Sequence, residues 1–178
     1  MRRVFIIFGE FEDEDIAWCL ASGHLRQMAR GELLVTAGQT VDEITLILSG
    51  EFSVEVQGKE IARLGAGELV GELSFLDARP PYASVRAEES ASVLCIPHGE
   101  VHHRLRHNPG FGQRFYRSLG LFLASRMRNV VGQIGALSDS DSLQEDQTSI
   151  DEIDPDVLER AGIAGQRFEW LRGQLGVE

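Results

Sequence analysis

Short apolar runs separated by glycine turns fill the first half of the chain, and helical stripes fill the second. Ile16, Cys19 and Leu20 recur at helical spacing behind an acidic first turn, which predicts a short helix over 14–20, ended by Gly23. Residues 33–36 read as a strand stopped at Ala37-Gly38-Gln39. Residues 44–48 form a second strand, apolar on both faces apart from Thr45. Phe52-Ser53-Val54-Glu55-Val56 alternates, and Phe52, Val54 and Val56 are expected inside. Gln57-Gly58-Lys59 reads as a hairpin turn, with Ile61 and Arg63-Leu64 on the returning strand. Residues 84–87 and 91–96 add two more strands. Strands this short, about 8–12 residues apart with glycine between them, predict an antiparallel barrel or jelly roll.

Helical patterning takes over at Pro97. One helix is expected over 97–106, ending near Asn108-Pro109. A longer one over 111–134 carries Phe111, Phe115, Leu119, Leu123, Met127, Val130 and Ile134 on one apolar seam. It is long enough to serve the domain at one end and a partner helix at the other. Residues 138–156 hold eight acidic side chains and no basic one, and read as a linker. Asp154-Pro155 reads as an N-cap with proline at the first helical position. Beyond it, Val157, Leu158, Phe168, Leu171 and Leu175 form an apolar set on one or two short helices split by Gly162 and Gly165. So small an element cannot hold a core alone and is expected to dock on another surface.

Composition narrows the function. A chain of 178 residues suits one domain plus an appendage. The net charge of −11 is uneven: residues 1–137 carry 14 basic and 17 acidic side chains, and residues 138–178 carry 3 and 11. Neither part has a basic stripe, so direct nucleic-acid binding is not expected. With no apolar run near the ~20 residues of a membrane span and no secretory leader, a soluble cytoplasmic protein is expected. Cys19 and Cys95 sit among apolar neighbours without metal-ligand spacing and are expected as buried free thiols. His98/His102 and His103/His107 stand four apart on two faces of one helix, read as a solvated surface, and no metal site is expected. The nucleophile-elbow, zinc-protease and phosphate-loop motifs are absent, so no catalytic residue is assigned.

The stretch from Gly65 to Val85 crowds three glycines before Glu72, then a double proline and small residues. Such loops let a backbone approach a ligand, and N–H groups opening a short helix attract anions. Together with Ala29-Arg30-Gly31-Glu32, Gly38, Ile47-Leu48-Ser49-Gly50-Glu51, Leu64-Gly65-Ala66-Gly67-Glu68, Gly71-Glu72-Leu73-Ser74-Phe75-Leu76 and Ala83-Ser84-Val85-Arg86-Ala87, this order resembles the cyclic-nucleotide-binding domain family. That family includes the sensor domain of the catabolite activator protein and the regulatory subunits of protein kinase A. The resemblance covers about residues 8–137. It implies a mainly β fold with flanking helices: a jelly-roll barrel plus a long C-terminal helix, followed by the 138–156 linker and a helical tail over 157–178.

The resemblance also implies roles. Backbone N–H groups at Gly71, Glu72, Leu73 and Ser74 would hold a cyclic phosphate, and Glu72 would accept from the ribose 2′-hydroxyl, or else cap its own loop. Ala83 and Ser84 complete the site. The family's phosphate-pairing arginine is missing, since Pro81 stands in its place. Arg79 is the candidate replacement, although a solvated side chain is its ordinary state. Tyr82 stands where the family has alanine, and either fills the pocket or stacks on a base, with filling the favoured reading. The implied ligand is cyclic AMP or cyclic GMP, bound weakly or atypically, with no resident cofactor. The resemblance further implies a non-catalytic regulatory module without a helix-turn-helix, dimerising through Phe115, Leu119, Leu123, Met127, Val130 and Ile134 and signalling to a protein partner. The alternative is a ligand-free domain serving as a dimeric interaction scaffold.

Overall fold

A computed structural model of the chain describes residues 4–138 and 155–177. Two helices open it, α1 (Val4–Glu10) and α2 (Asp13–Ser22), followed by β1 (His24–Met28), β2 (Leu33–Val35), β3 (Glu43–Ser49), β4 (Phe52–Val56), β5 (Lys59–Leu64) and β6 (Leu69–Val70). The short α3 (Glu72–Asp77) precedes β7 (Ser84–Ala87) and β8 (Ala91–Pro97), and α4 (His98–His107), α5 (Pro109–Ser138) and α6 (Pro155–Gln174) complete the order. Two antiparallel four-stranded sheets, β1-β8-β3-β6 and β2-β7-β4-β5, form the jelly roll.

The first sheet is covered on both faces, which explains why β3 is apolar on both faces apart from Thr45. Ile44, Leu46 and Leu48 join Leu94 and Ile96 in a core shared with the helices, whereas Ile47 joins Val93 and Cys95 in a second core between the sheets. The β4–β5 connection is a two-residue turn with positive φ at Gln57 (52°) and Gly58 (78°), the mirror-image geometry that matches strand twist.

β4 departs from its alternation. Phe52 is fully buried, but Val54 and Val56 are only half-buried and Ser53 is 1% exposed. Ser53 is covered because its hydroxyl donates to Glu88 at 2.6 Å beneath the Arg86–Glu55 ion pair, while Val54 faces a cavity described below.

Asp15 ties the helices together. Its carboxylate is fully buried and receives Arg114 at 2.7 Å, Arg104 at 3.0 Å and the Glu12 N–H at 3.0 Å. Burial alone would push this carboxyl up, but the hydrogen bonds from Arg114, Glu12 and Arg104 outweigh it and hold it below its ordinary value. Arg104 in turn lies between the Trp18 and Phe111 rings, 5.0 and 4.9 Å from their centroids.

The apolar seam of α5 divides in two. Phe111, Phe115, Leu119 and Phe122 are buried in the chain's own core, so Phe115 and Leu119 are not available to a second copy as expected. Leu123 packs partly against that core. Beyond it Met127, Val130 and Val131 are exposed, and the side chain of Ile134 lies outside the described residues.

The tail is one continuous helix rather than two, running through Gly162 and Gly165. It docks on the same chain: Ala164, Phe168 and Leu171 are buried in the helix-side core, with Phe168 edge-on to Phe8. Arg167 bridges back to the Phe8 and Phe11 carbonyls and to Asp13. This packing outweighs the roughly 1 kcal/mol that each helical glycine costs. The acidic linker, the Asp154 cap and the side chains of Val157 and Leu158 lie outside the described residues.

Candidate functional site

Between β6 and α3 the chain turns on Gly71, whose φ of 91° only glycine adopts without strain. A Cβ at that position would sit 2.2 Å from the Glu43 carbonyl oxygen, so the turn also needs glycine for close packing. The turn starts α3, and a helix supplies no internal acceptor for its first N–H groups.

A cavity of about 270 Å³ opens beside this turn. That is near the lower end of small-ligand pockets, about 300–1,000 Å³. Val35, Val54, Leu64, Val70 and Val85 make its apolar wall, and Gly71 to Ser74 with the Arg79–Ala83 loop make its rim. Apolar wall and polar rim together suit a ligand with one flat apolar part and one anionic or hydroxylated part.

The expected site residues are brought together, but not all inward. Glu72 is 2% exposed, and Ser74 is buried with its hydroxyl donating to the Arg79 carbonyl at 2.9 Å. Leu73 is 58% exposed at the rim of the cavity. The Ser84 hydroxyl accepts from the Ala37 N–H at 3.0 Å and so fastens the loop after β2. Tyr82 does not fill the pocket: it is 85% exposed, because the Gly38 N–H holds the Pro81 carbonyl at 2.8 Å and leaves the neighbouring side chain turned to solvent. Arg79 is mostly in solvent too, 4.0 Å from Asp77.

A residue unmarked in the sequence completes the site. Arg126 reaches from α5 to the cavity, where its guanidinium pairs with the Glu72 carboxylate and its second terminal nitrogen donates to the Leu69 carbonyl at 3.3 Å. The Phe122 ring lies under the guanidinium, 4.8 Å from centroid to carbon. Arg126 is therefore a cation that α5 places beside the Gly71–Ser74 turn. A guanidinium has five N–H donors, more than these two acceptors use.

Behind the cassette, Phe75 packs edge-on to His98 and stacks on His102 at 4.6 Å. His98 is thus partly buried against Phe75, whereas His102 stacks on the same ring and stays exposed. Burial pushes the His98 imidazole below its ordinary value, and its Nε2 is buried without a hydrogen-bond partner among the described residues. Cys19 and Cys95 are free and buried, and burial pushes the Cys19 thiol up to about 12. No helix among the described residues is long and apolar enough to cross a membrane.

Comparison with known proteins agrees with this geometry. The model of the cyclic nucleotide-binding domain matches residues 25–108. The chain is 27% identical over 115 residues to the Pycsar effector protein XpPycTIR of Xanthomonas perforans, covering 64% of this chain and 38% of the relative. It is 34% identical over 86 residues to the Pycsar effector protein PaPycTIR of Pseudomonas aeruginosa, covering 47% of this chain and 28% of the relative. The chain thus spans about a third of the length of these curated relatives. A cyclic nucleotide-binding domain from Methylobacillus flagellatus KT, 25% identical, superposes with a TM-score of 0.69 over 80% of this chain and 84% of its own. Residues 25–108 thus match a cyclic nucleotide-binding domain, and the jelly roll with its flanking helices superposes on a solved domain of that kind.

Proposed function

We propose that the chain is a regulatory module that senses a cyclic nucleotide in the cavity beside Gly71–Ser74 and transmits binding to α5 through Arg126. The observation that carries this reading is the Glu72–Arg126 pair, which joins the cassette to the long helix at the wall of the cavity. In this reading the cyclic phosphate lies on the N–H groups of α3's first turn, and the sugar hydroxyl competes for the Glu72 carboxylate. Arg126 supplies the positive charge absent at Pro81. Any shift in how Glu72 shares its acceptors changes the hold on α5.

Affinity is reduced relative to a site with a dedicated arginine, because a charge-assisted bond to phosphate contributes roughly 1.5–3 kcal/mol. The exposed Met127, Val130 and Val131 of α5 then serve a second copy or a partner protein. The module itself is non-catalytic. A ligand-free scaffold is the second reading, favoured by Pro81 and by a Glu72 carboxylate already paired.

Calorimetry and thermal shift with the 3′,5′-cyclic monophosphates of adenosine, guanosine, cytidine and uridine separate the two. Saturable binding lost in Glu72→Ala supports sensing. Silence at millimolar concentrations of all four, with folded protein, leaves the scaffold.

A further inference from the structure

The first sheet brings together three residues that lie far apart in the sequence. Register pairs His24 of β1 with Cys95 of β8, and Cys95 in turn with Thr45 of β3. Glu43 lies two residues before Thr45, so His24, Cys95, Thr45 and Glu43 share one face of the sheet. One ligand atom from each of His24, Glu43 and Cys95 falls within 4.8 Å of the other two, and His24 Nε2 is 3.6 Å from Glu43 Oε1. None of these three side chains lines the cavity beside Gly71–Ser74.

We propose that His24, Glu43 and Cys95 form a site for a borderline divalent metal ion of the zinc and cobalt class. Nitrogen or oxygen ligands at ~2.1 Å and sulfur at ~2.3 Å around a tetrahedral ion lie about 3.4–3.7 Å from one another. The His24–Glu43 separation already has that value, and the remaining distances close by about 1 Å of side-chain movement. Such movement is available, because the His24 and Glu43 side chains are 57% and 35% exposed, whereas Cys95 is fully buried. The buried sulfur is the anchor, and the other two ligands face the side from which an ion arrives.

The donor set selects the metal. Thiolate and imidazole together favour zinc and cobalt over magnesium and calcium, whose preferred ligands are all oxygen. Thiolate and carboxylate bring two negative charges, which a divalent ion neutralises, and the thiol proton leaves to solvent on binding. The Thr45 hydroxyl, donating to the Cys95 sulfur at 3.6 Å, orients that ligand from the second layer. Arg26 lies two residues along β1 on the same face, but Glu32 holds it at 2.7 Å and offsets its charge. Three protein ligands leave a fourth position for water or an anion, the arrangement of exchangeable rather than closed sites.

The test uses the full chain, stripped with a chelator and titrated with cobalt chloride. One equivalent is expected to bind, giving a thiolate-to-cobalt charge-transfer band and the visible bands of tetrahedral cobalt, both lost on adding zinc. Cys95→Ser should abolish the charge-transfer band, and Cys19→Ser should leave it unchanged. His24→Ala, a change at an exposed position, should weaken cobalt binding by more than about 100-fold, beyond the roughly 10–100-fold that loss of an outer-layer contact causes. No band with excess cobalt, a band that survives Cys95→Ser, or unchanged affinity in His24→Ala each overturns the site. Should Cys95→Ser fail to fold by circular dichroism, His24→Ala decides alone.

Discussion

Replacing Arg126 with glutamine tests the link between cassette and long helix at its narrowest point. The change removes a charge from a pair in which Glu72 is 3% and Arg126 24% exposed at the side chain. Breaking a fully buried pair costs about 3–5 kcal/mol, because the remaining charge is left without compensation. Arg126 keeps some contact with water, so the lower end of that range applies. The contact with the Phe122 ring adds roughly 0.5–1 kcal/mol. For a chain of this size each kcal/mol moves the melting temperature by about 2–4 °C, so a fall of roughly 7–16 °C is expected. Removing the partner as well, in Glu72→Gln with Arg126→Gln, should recover most of the loss, since no buried charge then remains. Cyclic-nucleotide affinity should fall by about ten- to 150-fold in Arg126→Gln, the equivalent of one charge-assisted bond. Differential scanning fluorimetry and calorimetry read both quantities. A lower melting temperature with unchanged affinity would reduce the pair to a structural tie. No change in either would refute the reasoning outright.

Other outcomes follow from the same contacts. Pro81→Arg restores a cation at the rim and should tighten cyclic-nucleotide binding at least about tenfold, measured by calorimetry; an unchanged affinity contradicts the assigned cassette geometry. Asp15→Asn weakens the Arg104 and Arg114 clamp and should destabilise the fold by about 3 kcal/mol or more in urea titration. Because the folded Asp15 carboxyl lies below its ordinary value of 3.8, its contribution is full above that pH and is lost as pH falls further. Wild-type stability should therefore drop steeply below about pH 4, and the variant should lose much of that dependence. Met127→Glu should turn a dimer into a monomer by light scattering without lowering the melting temperature, since Met127 is 65% exposed; a persistent dimer rules out that seam.

Much of the fold was legible because its strands are strongly patterned. The runs 44–48 and 91–96 read as strands, the first apolar on both faces apart from Thr45, and the Gln57-Gly58 turn read as a hairpin. β1 escaped notice since of its five residues only Met28 is buried, and β6 since two residues make no pattern. α6 was read as broken because glycine propensity is local, whereas its docking on α1 is not. Glycines and Glu72 betrayed the cassette. Arg126 could not be found that way: it lies 54 residues from Glu72 and on the polar flank of a helix whose apolar stripe drew attention elsewhere. Likewise Cys95, His24 and Glu43 have no ligand spacing, as three strands separate them in sequence and one sheet face unites them. Patterns that repeat along the chain survive reading; pairings made by register and helix docking do not.

The most direct measurement is calorimetric titration of the full chain with the four 3′,5′-cyclic monophosphates, repeated on Glu72→Ala. The account predicts one saturable site per chain for at least one of them, weaker than micromolar or near it, and abolished by the substitution. Folded wild-type protein with no heat at millimolar ligand, or binding that persists in Glu72→Ala, would contradict it.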